Sequence, residues 1–220
     1  MMDMKNIKYI TIILLAALAT SCDNFLTENP PYNVTVDNAI RNYDDAQAAI
    51  IGMYSSLNLG SGTSTSDFFG GRLYCTLASQ AGTTKAVGGI AHYNMTYNST
   101  TASFGVFWQN WYACINAANL TIIGIEKLDV SKFPSAVEKE RMLAEAKCFR
   151  AWVNAHILWC FGHFWKDDEY GILYRTEMAN MTNIYIDRLS VRESYEKIFD
   201  DLKDVDLLDD YSSSKYLSKQ

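Results

Sequence analysis

The chain has 220 residues, 49% of them apolar, 20% charged and 13% aromatic, which is enough apolar surface to offset chain entropy and excludes a disordered protein. Three Pro and 12 Gly exclude collagen-like and low-complexity sequence. A net charge of −6 with no basic tract excludes a nucleic-acid partner gripped through its phosphate backbone.

The first residues read as an address. Lys5 and Lys8 precede an apolar run from Tyr9 to Ala19, 11 residues long, where a membrane-spanning helix needs about 20. Leu18-Ala19-Thr20-Ser21-Cys22 follows. Small residues just before a cysteine form the pattern of a bacterial lipobox, although Ala19 stands where Leu is commoner. Residues 1–21 are therefore expected to be a lipoprotein signal peptide, with Cys22 lipidated and a mature region of 22–220. Each buried acyl methylene contributes about 0.8 kcal/mol, so several chains on one cysteine would hold a domain at a bilayer surface. The alternative is an ordinary secretory signal followed by an incidental cysteine. No later stretch has 18 consecutive apolar residues. Cys75, Cys114, Cys148 and Cys160 form no CxxC pair. Cys148 and Cys160 fall in one predicted helix, about 18 Å apart along its axis, too far for a disulfide.

Past an extended segment with Pro30-Pro31, a first helix is expected to start near Thr35 with Asp37 in its first turn. Its apolar stripe is Ile40, Tyr43, Ala46, Ile50, Met53 and Leu57, and it stops near Gly60. Residues 60–105 hold eight of the 12 glycines and many Ser and Thr, and read as a long loop. A second helix is predicted from about Phe107 to Leu128, with Trp108, Trp111, Ile115, Ala118, Ile122 and Ile125 on one face. A third opens with Pro134 and the capping-box pattern Ser135-Ala136-Val137-Glu138, and runs to about Phe161. It buries Met142, Ala146, Phe149, Val153 and Ile157, and a second stripe of Cys148, Trp152, Ala155 and Trp159 predicts a helix sandwiched between neighbours. After a long connection, 162–189, Ser190-Val191-Arg192-Glu193 opens a fourth helix with the stripe Val191, Tyr195, Ile198, Leu202 and Val205. The fold class is mainly α. The 34-residue step from Trp108 to Met142 matches the period of tetratricopeptide helix pairs, here interrupted by the Gly/Ser/Thr-rich insertion.

Four stretches carry a family resemblance. They are Cys22-Asp23-Asn24-Phe25-Leu26 with Pro30, and Asp45-Ala46 through Gly52-Met53-Tyr54. The most specific is Glu140 through Ala151 (ERMLAEAKCFRA), running on to Phe161-Gly162; the last is Arg188-Leu189-Ser190-Val191 with Tyr195, Ile198, Asp201 and Leu202. In this order and spacing they resemble the N-terminal part of the SusD/RagB family of outer-membrane lipoproteins. The resemblance implies a SusD-like N-terminal helical domain over 22–220, expected to be incomplete because the family's members are much longer, either as a fragment or as a truncated gene product. It also implies a surface-exposed lipoprotein without catalytic residues, which captures glycans or sometimes peptides and caps a SusC-type TonB-dependent porin. With the following helices missing, the stripe from Val191 to Val205 is expected to stay exposed.

Sugars present apolar C–H faces and hydroxyl edges, so a site for them needs open rings beside amide or guanidinium groups. Arg72 and the pairs Tyr93-Asn94 and Tyr97-Asn98 in the glycine-rich stretch offer that chemistry. Tyrosines anchoring a loop to the core are the competing reading. Trp108, Trp111, Trp152 and Trp159 sit at helical spacing and are expected in the core, and Trp165 in a buried turn. His156 and His163 lack a third metal ligand, so no metal and no cofactor are expected. No GxSxG, HExxH or P-loop is present. Asp200, Asp201, Asp204, Asp206, Asp209 and Asp210 are expected to form a solvated face. A porin-binding helical scaffold without its own ligand is the alternative function, and a surface glycosidase a more distant one.

Overall fold

The first helix of the described residues is capped by Asn42, seven residues past the start expected near Thr35. In the computed structural model, which describes residues 39–58 and 102–208 with positions 96, 98 and 100, α1 spans Tyr43–Ser55. Residues 40–42 are not helical, and Asn42 has extended backbone (φ −155°, ψ 179°) with its side chain accepting from Asp45 N at 2.9 Å. Asp44 and Asp45 then sit where the positive end of the helix dipole favours them. Ala46, Ile50 and Met53 are buried, as their spacing predicts, and a short 3₁₀ turn, Ser56–Asn58, ends the run.

α2 spans Ala102–Lys127, starting earlier than its aromatic stripe suggests, and α3 spans Ala136–Phe161. A 3₁₀ turn, Val130–Lys132, joins them. Lys139 of α3 donates to the carbonyls of Leu128 (2.5 Å) and Glu126 (3.2 Å), capping the end of α2. Ser135 caps α3 by accepting from Glu138 N at 3.1 Å. The Glu138 carboxylate reaches Arg141 (2.8 and 2.9 Å) and the Tyr43 hydroxyl (3.0 Å), which fastens α1 to α3. α4 spans Val191–Leu202 and carries the complete capping box expected of Ser190 and Glu193; the turn Val205–Leu207 follows.

The helices pack in chain order, α1 on α2, α2 on α3 and α3 on α4. No strand occurs among the described residues. The stripe Met142, Ala146, Phe149, Val153 and Ile157 is buried as predicted. The second buried wall of α3 is not the predicted one. Trp152 and Ala155 are only half-buried, and Trp159 is 51% exposed. Arg150, Asn154 and Leu158 are buried instead, and Arg150 meets Asp201 on the buried side of α4. The polar members of this set hid it from any count of apolar residues. Nor is the α4 stripe left open. Val191 and Ile198 are buried, and Tyr195 and Leu202 pack on the core.

Glycine ends α3 for lack of room. Gly162 has φ −113°, open to any residue, but a Cβ there would stand 2.7 Å from Leu158 Cδ1 and 2.9 Å from the Tyr170 carbonyl. Gly171 is tighter: a Cβ would meet the carbonyls of Leu189 and Ser190 at 2.5 Å, where the connection passes the start of α4. Gly171 N donates to Leu189 O and Leu189 N to Ile172 O, both at 3.0 Å, so the two ends of the connection zip together.

Candidate functional site

One face of α2 holds the connection that follows α3. Tyr112, Asn116 and Asn119 lie four and three residues apart, so they align along the helix. The Tyr112 hydroxyl donates to Leu173 O at 3.0 Å. Asn119 Nδ2 donates to Arg175 O and Glu177 O, both at 3.1 Å. Asn116 Oδ1 accepts from Ala179 N at 3.3 Å. Residues 173–179 thus form a strap fixed through its peptide groups. Beyond it, Asn180 Oδ1 accepts from Thr182 N at 2.8 Å, and Arg175 donates to the carbonyls of Asn183 (2.9 Å) and Ile184. These bonds hold a loop from which Met181 (90% exposed) and Tyr185 (95% exposed) project.

Under the strap lies a buried ion pair. Arg150 Nε and Nη2 donate to the two Asp201 oxygens at 2.8 and 2.7 Å, and its Nη1 donates to Asn119 Oδ1 at 2.8 Å. Tyr174 of the strap donates its hydroxyl to Asp201. Burial alone would lower the Arg150 pKa, but the hydrogen bonds and charge of Asp201 outweigh it and hold it above its ordinary value. Burial, then the Asp201 charge, pushes the Tyr174 hydroxyl upward, so it stays a donor. The expectation of a solvated acidic face therefore fails at Asp201, which is buried. A cleft of about 200 Å³ opens beside the pair. Lys147 lies 3.8 Å from Glu126 and Lys203 3.6 Å from Asp200. With Arg150 and Asp201 the charges balance, so the cleft suits hydrogen bonding to a neutral polar group.

Two aromatic expectations are corrected at the other end of α4. Trp165 is 69% exposed rather than buried in its turn, and Phe164 beside it is 42% exposed. Trp111 is buried as expected, while Trp108 is half-buried and closes on Phe161 with ring centroids 5.1 Å apart.

Of the residues singled out as ligand contacts, Asn98 is described. Its Oδ1 accepts from Thr100 N (2.9 Å) and Thr100 Oγ1 (2.6 Å), a turn just ahead of α2. Arg72, Tyr93, Asn94 and Tyr97, like Cys22 and the whole of 1–21, lie outside the described residues. His156 Nδ1 pairs with Trp152 O at 2.9 Å and His163 Nδ1 with Asp168 at 2.8 Å, so each ring has a local partner. Among the described residues no three His, Cys, Asp or Glu converge as a metal site, Cys114 and Cys148 are not in disulfides, and no helix is long and apolar enough to cross a membrane. Burial pushes the Cys114 thiol up to about 11. Tyr112, Asn116 and Asn119 escaped sequence reasoning; only their shared helical face could have marked them.

Residues 24–220 match the model of a SusD-like family described as starch-binding and associating with the outer membrane. No curated protein matches the sequence. Two solved structures share the fold. A SusD superfamily protein from Bacteroides fragilis is 22% identical with a TM-score of 0.65, over 81% of this chain and 42% of that one. A SusD superfamily protein from Bacteroides thetaiotaomicron is 20% identical with a TM-score of 0.58, over 80% of this chain and 38% of that one. The chain thus spans about two fifths of the length of the solved structures it matches.

Proposed function

The chain belongs to the SusD-like family, and from that premise we propose that it is a non-catalytic lipoprotein of the outer membrane, exposed at the cell surface, that captures a glycan or peptide nutrient for a SusC-type TonB-dependent porin. The observation that carries this reading is the family match over residues 24–220, which starts two residues past Cys22. In this reading residues 1–21 are the signal peptide and 22–220 the SusD-like helical region. Cys22 bears the acyl chains, and the helices pair in tetratricopeptide-like fashion as the scaffold. The glycine-rich stretch is the ligand side, where Arg72, Asn94 and Asn98 bond sugar hydroxyls and Tyr93 and Tyr97 stack on sugar rings. No cofactor is required, because capture and release involve no bond making. Binding to a panel of soluble polysaccharides tests the role. Retention of a ligand that Tyr93→Ala/Tyr97→Ala weakens supports it, and failure to bind any glycan or peptide refutes it. Replacing Cys22 with Ser should move the protein from the membrane to the soluble fraction; unchanged membrane association would refute the anchor.

A second reading, a helical scaffold that holds the porin without a ligand of its own, is favoured by one observation. The loop bearing Met181 and Tyr185 is braced by Arg175 and Asn180 yet projects its apolar side chains outward, as an interface anchor does. Co-purification of the porin in the absence of glycan binding, lost with Tyr185→Ala, would favour that reading.

A further inference from the structure

The turn after α3 has the composition of a core segment and the exposure of a surface. In Phe161-Gly162-His163-Phe164-Trp165 the rings could have folded inward. Phe161 does, against Trp108 and Trp111, but Phe164 and Trp165 do not, because the turn past Gly162 is clasped from both sides. His163 N donates to Tyr170 O at 2.9 Å, Lys166 N to His163 O at 2.9 Å, and Val191 N to Asp168 O at 2.8 Å. The Tyr195 hydroxyl donates to Phe164 O at 3.2 Å, and Arg192 pairs with Asp167. The turn is therefore fixed to the first two turns of α4. Trp165 stands out at 69% exposure, edge-on to Phe164 with centroids 5.0 Å apart. On α4, Tyr195 and Phe199 stack with centroids 6.2 Å apart and planes 22° apart, and Phe199 is 64% exposed. Between turn and helix runs a groove of about 480 Å³, within the range of about 300–1,000 Å³ usual for small-molecule sites.

The charges in the groove decide what fits it. Lys166, Asp167, Arg192 and Glu196 line it among the rings, two cations and two anions with no net charge. Arg192 pairs with Asp167 and Lys166 lies 3.4 Å from Asp168; an apolar helix laid over the rings would take these exposed pairs and Glu196 out of water, a desolvation cost that can exceed the attraction within each pair. A neutral sugar avoids that cost. Its C–H face covers a ring, its hydroxyls donate to Asp167 and Glu196, and its oxygens accept from Arg192 and Lys166. We infer that this groove is a second carbohydrate platform, for a neutral pyranose oligosaccharide, with Trp165 and Phe199 as its stacking rings. It is separate from the Tyr93/Tyr97 stretch, and it rests on the proposed glycan-binding role only for the class of ligand.

Tryptophan fluorescence and calorimetry on the full chain test it with maltoheptaose, cellohexaose, mannohexaose and xylohexaose as probes. At least one is expected to bind and shift the fluorescence. Trp165→Ala should weaken that binding about tenfold or more, the scale of truncating an aromatic anchor, and Trp165→Phe should restore part of it. Phe199→Ala should weaken it less, and neither change should move the thermal midpoint, since both rings are exposed. Loss with the groove variants and not with Tyr93→Ala/Tyr97→Ala assigns the site here. Loss with the loop variant alone overturns the groove and leaves the glycan role standing. No binding of any of the four probes overturns the groove, while the broader role is judged by the polysaccharide and peptide panel. Capture of the porin in the absence of sugar, abolished by Trp165→Ala, would make the groove a protein interface and also overturn the inference.

Discussion

The two seams along α3 are sealed by opposite chemistry. Toward α1 and α2 rings and aliphatic side chains fill most of the contact, with the Tyr43 and Tyr54 hydroxyls donating to Glu138 and Glu145 at its edge: Tyr54 meets Phe149 edge-on at 5.3 Å, and Trp108 and Trp111 meet Phe161 at 5.1 and 5.6 Å. Toward α4 the seam is closed by the doubly bonded pair of Arg150 and Asp201, with Asn119 and Tyr174 satisfying what remains. Apolar packing tolerates small shifts in register. A two-point guanidinium–carboxylate pair does not, because both hydrogen bonds need one alignment. The first seam therefore supplies adhesion, and the second fixes where α4 and the strap lie.

That contrast can be broken outright. Arg150→Ala leaves the Asp201 carboxylate buried without its cation and should cost about 3–5 kcal/mol in urea unfolding. Replacing both partners, Arg150→Met with Asp201→Leu, should recover most of that loss, and a double variant as unstable as the single one would contradict the account. Phe149→Ala, in the other seam, should cost a similar amount, about 3–5 kcal/mol, but with no partner substitution that restores it. Gly171→Ala should follow at about 1–3 kcal/mol, since its Cβ would press on two backbone carbonyls. Limited proteolysis should then cut within 173–183, while α1 and α2 keep their protection. Ser190→Ala removes the cap of α4 and should cost about 1 kcal/mol.

The smallest effect is in the pH profile. Glu193 is held below its ordinary 4.5 by hydrogen bonds from the Ser190 side chain and then its backbone. Asp168 is held below 3.8 by the His163 hydrogen bond and then the Tyr170 backbone. The unfolded chain takes up protons first, so these contributions are complete above the ordinary values and are lost as pH falls through the lower folded ones. The urea midpoint should decline below pH 4.5, and less steeply in Ser190→Ala.

Sequence periodicity located the four α-helices of the described residues, and the serines at 135 and 190 marked two starts, because capping needs only neighbours in the chain. Thr35 misled because Ser, Thr, Asn and Asp all qualify as caps and several lie between 33 and 42. What depended on distant partners was not legible. Asp201 looks like any other member of its acidic run until Arg150 is placed opposite it. Asn119 carries no motif, since an amide inside a helix is informative only once the strap passes over it. Helical spacing places Trp159 in the interior and the apolar character of its turn places Trp165 there, but neither signal can tell which side of a helix or turn runs out of neighbours. Most of the expected ligand residues lie outside the described region, so the scaffold was read more fully than the site.

The strap has a further consequence. Tyr112, Asn116 and Asn119 grip only backbone atoms, the carbonyls of 173, 175 and 177, which every residue possesses, and the N–H of 179, which proline alone lacks. Apart from Tyr174 and Arg175, whose side chains are themselves bonded, a segment fastened in this manner can exchange the side chains it displays while its course over the helix stays the same. Mutation is thereby free to retailor this face, residue by residue, without first having to rebuild the frame beneath it.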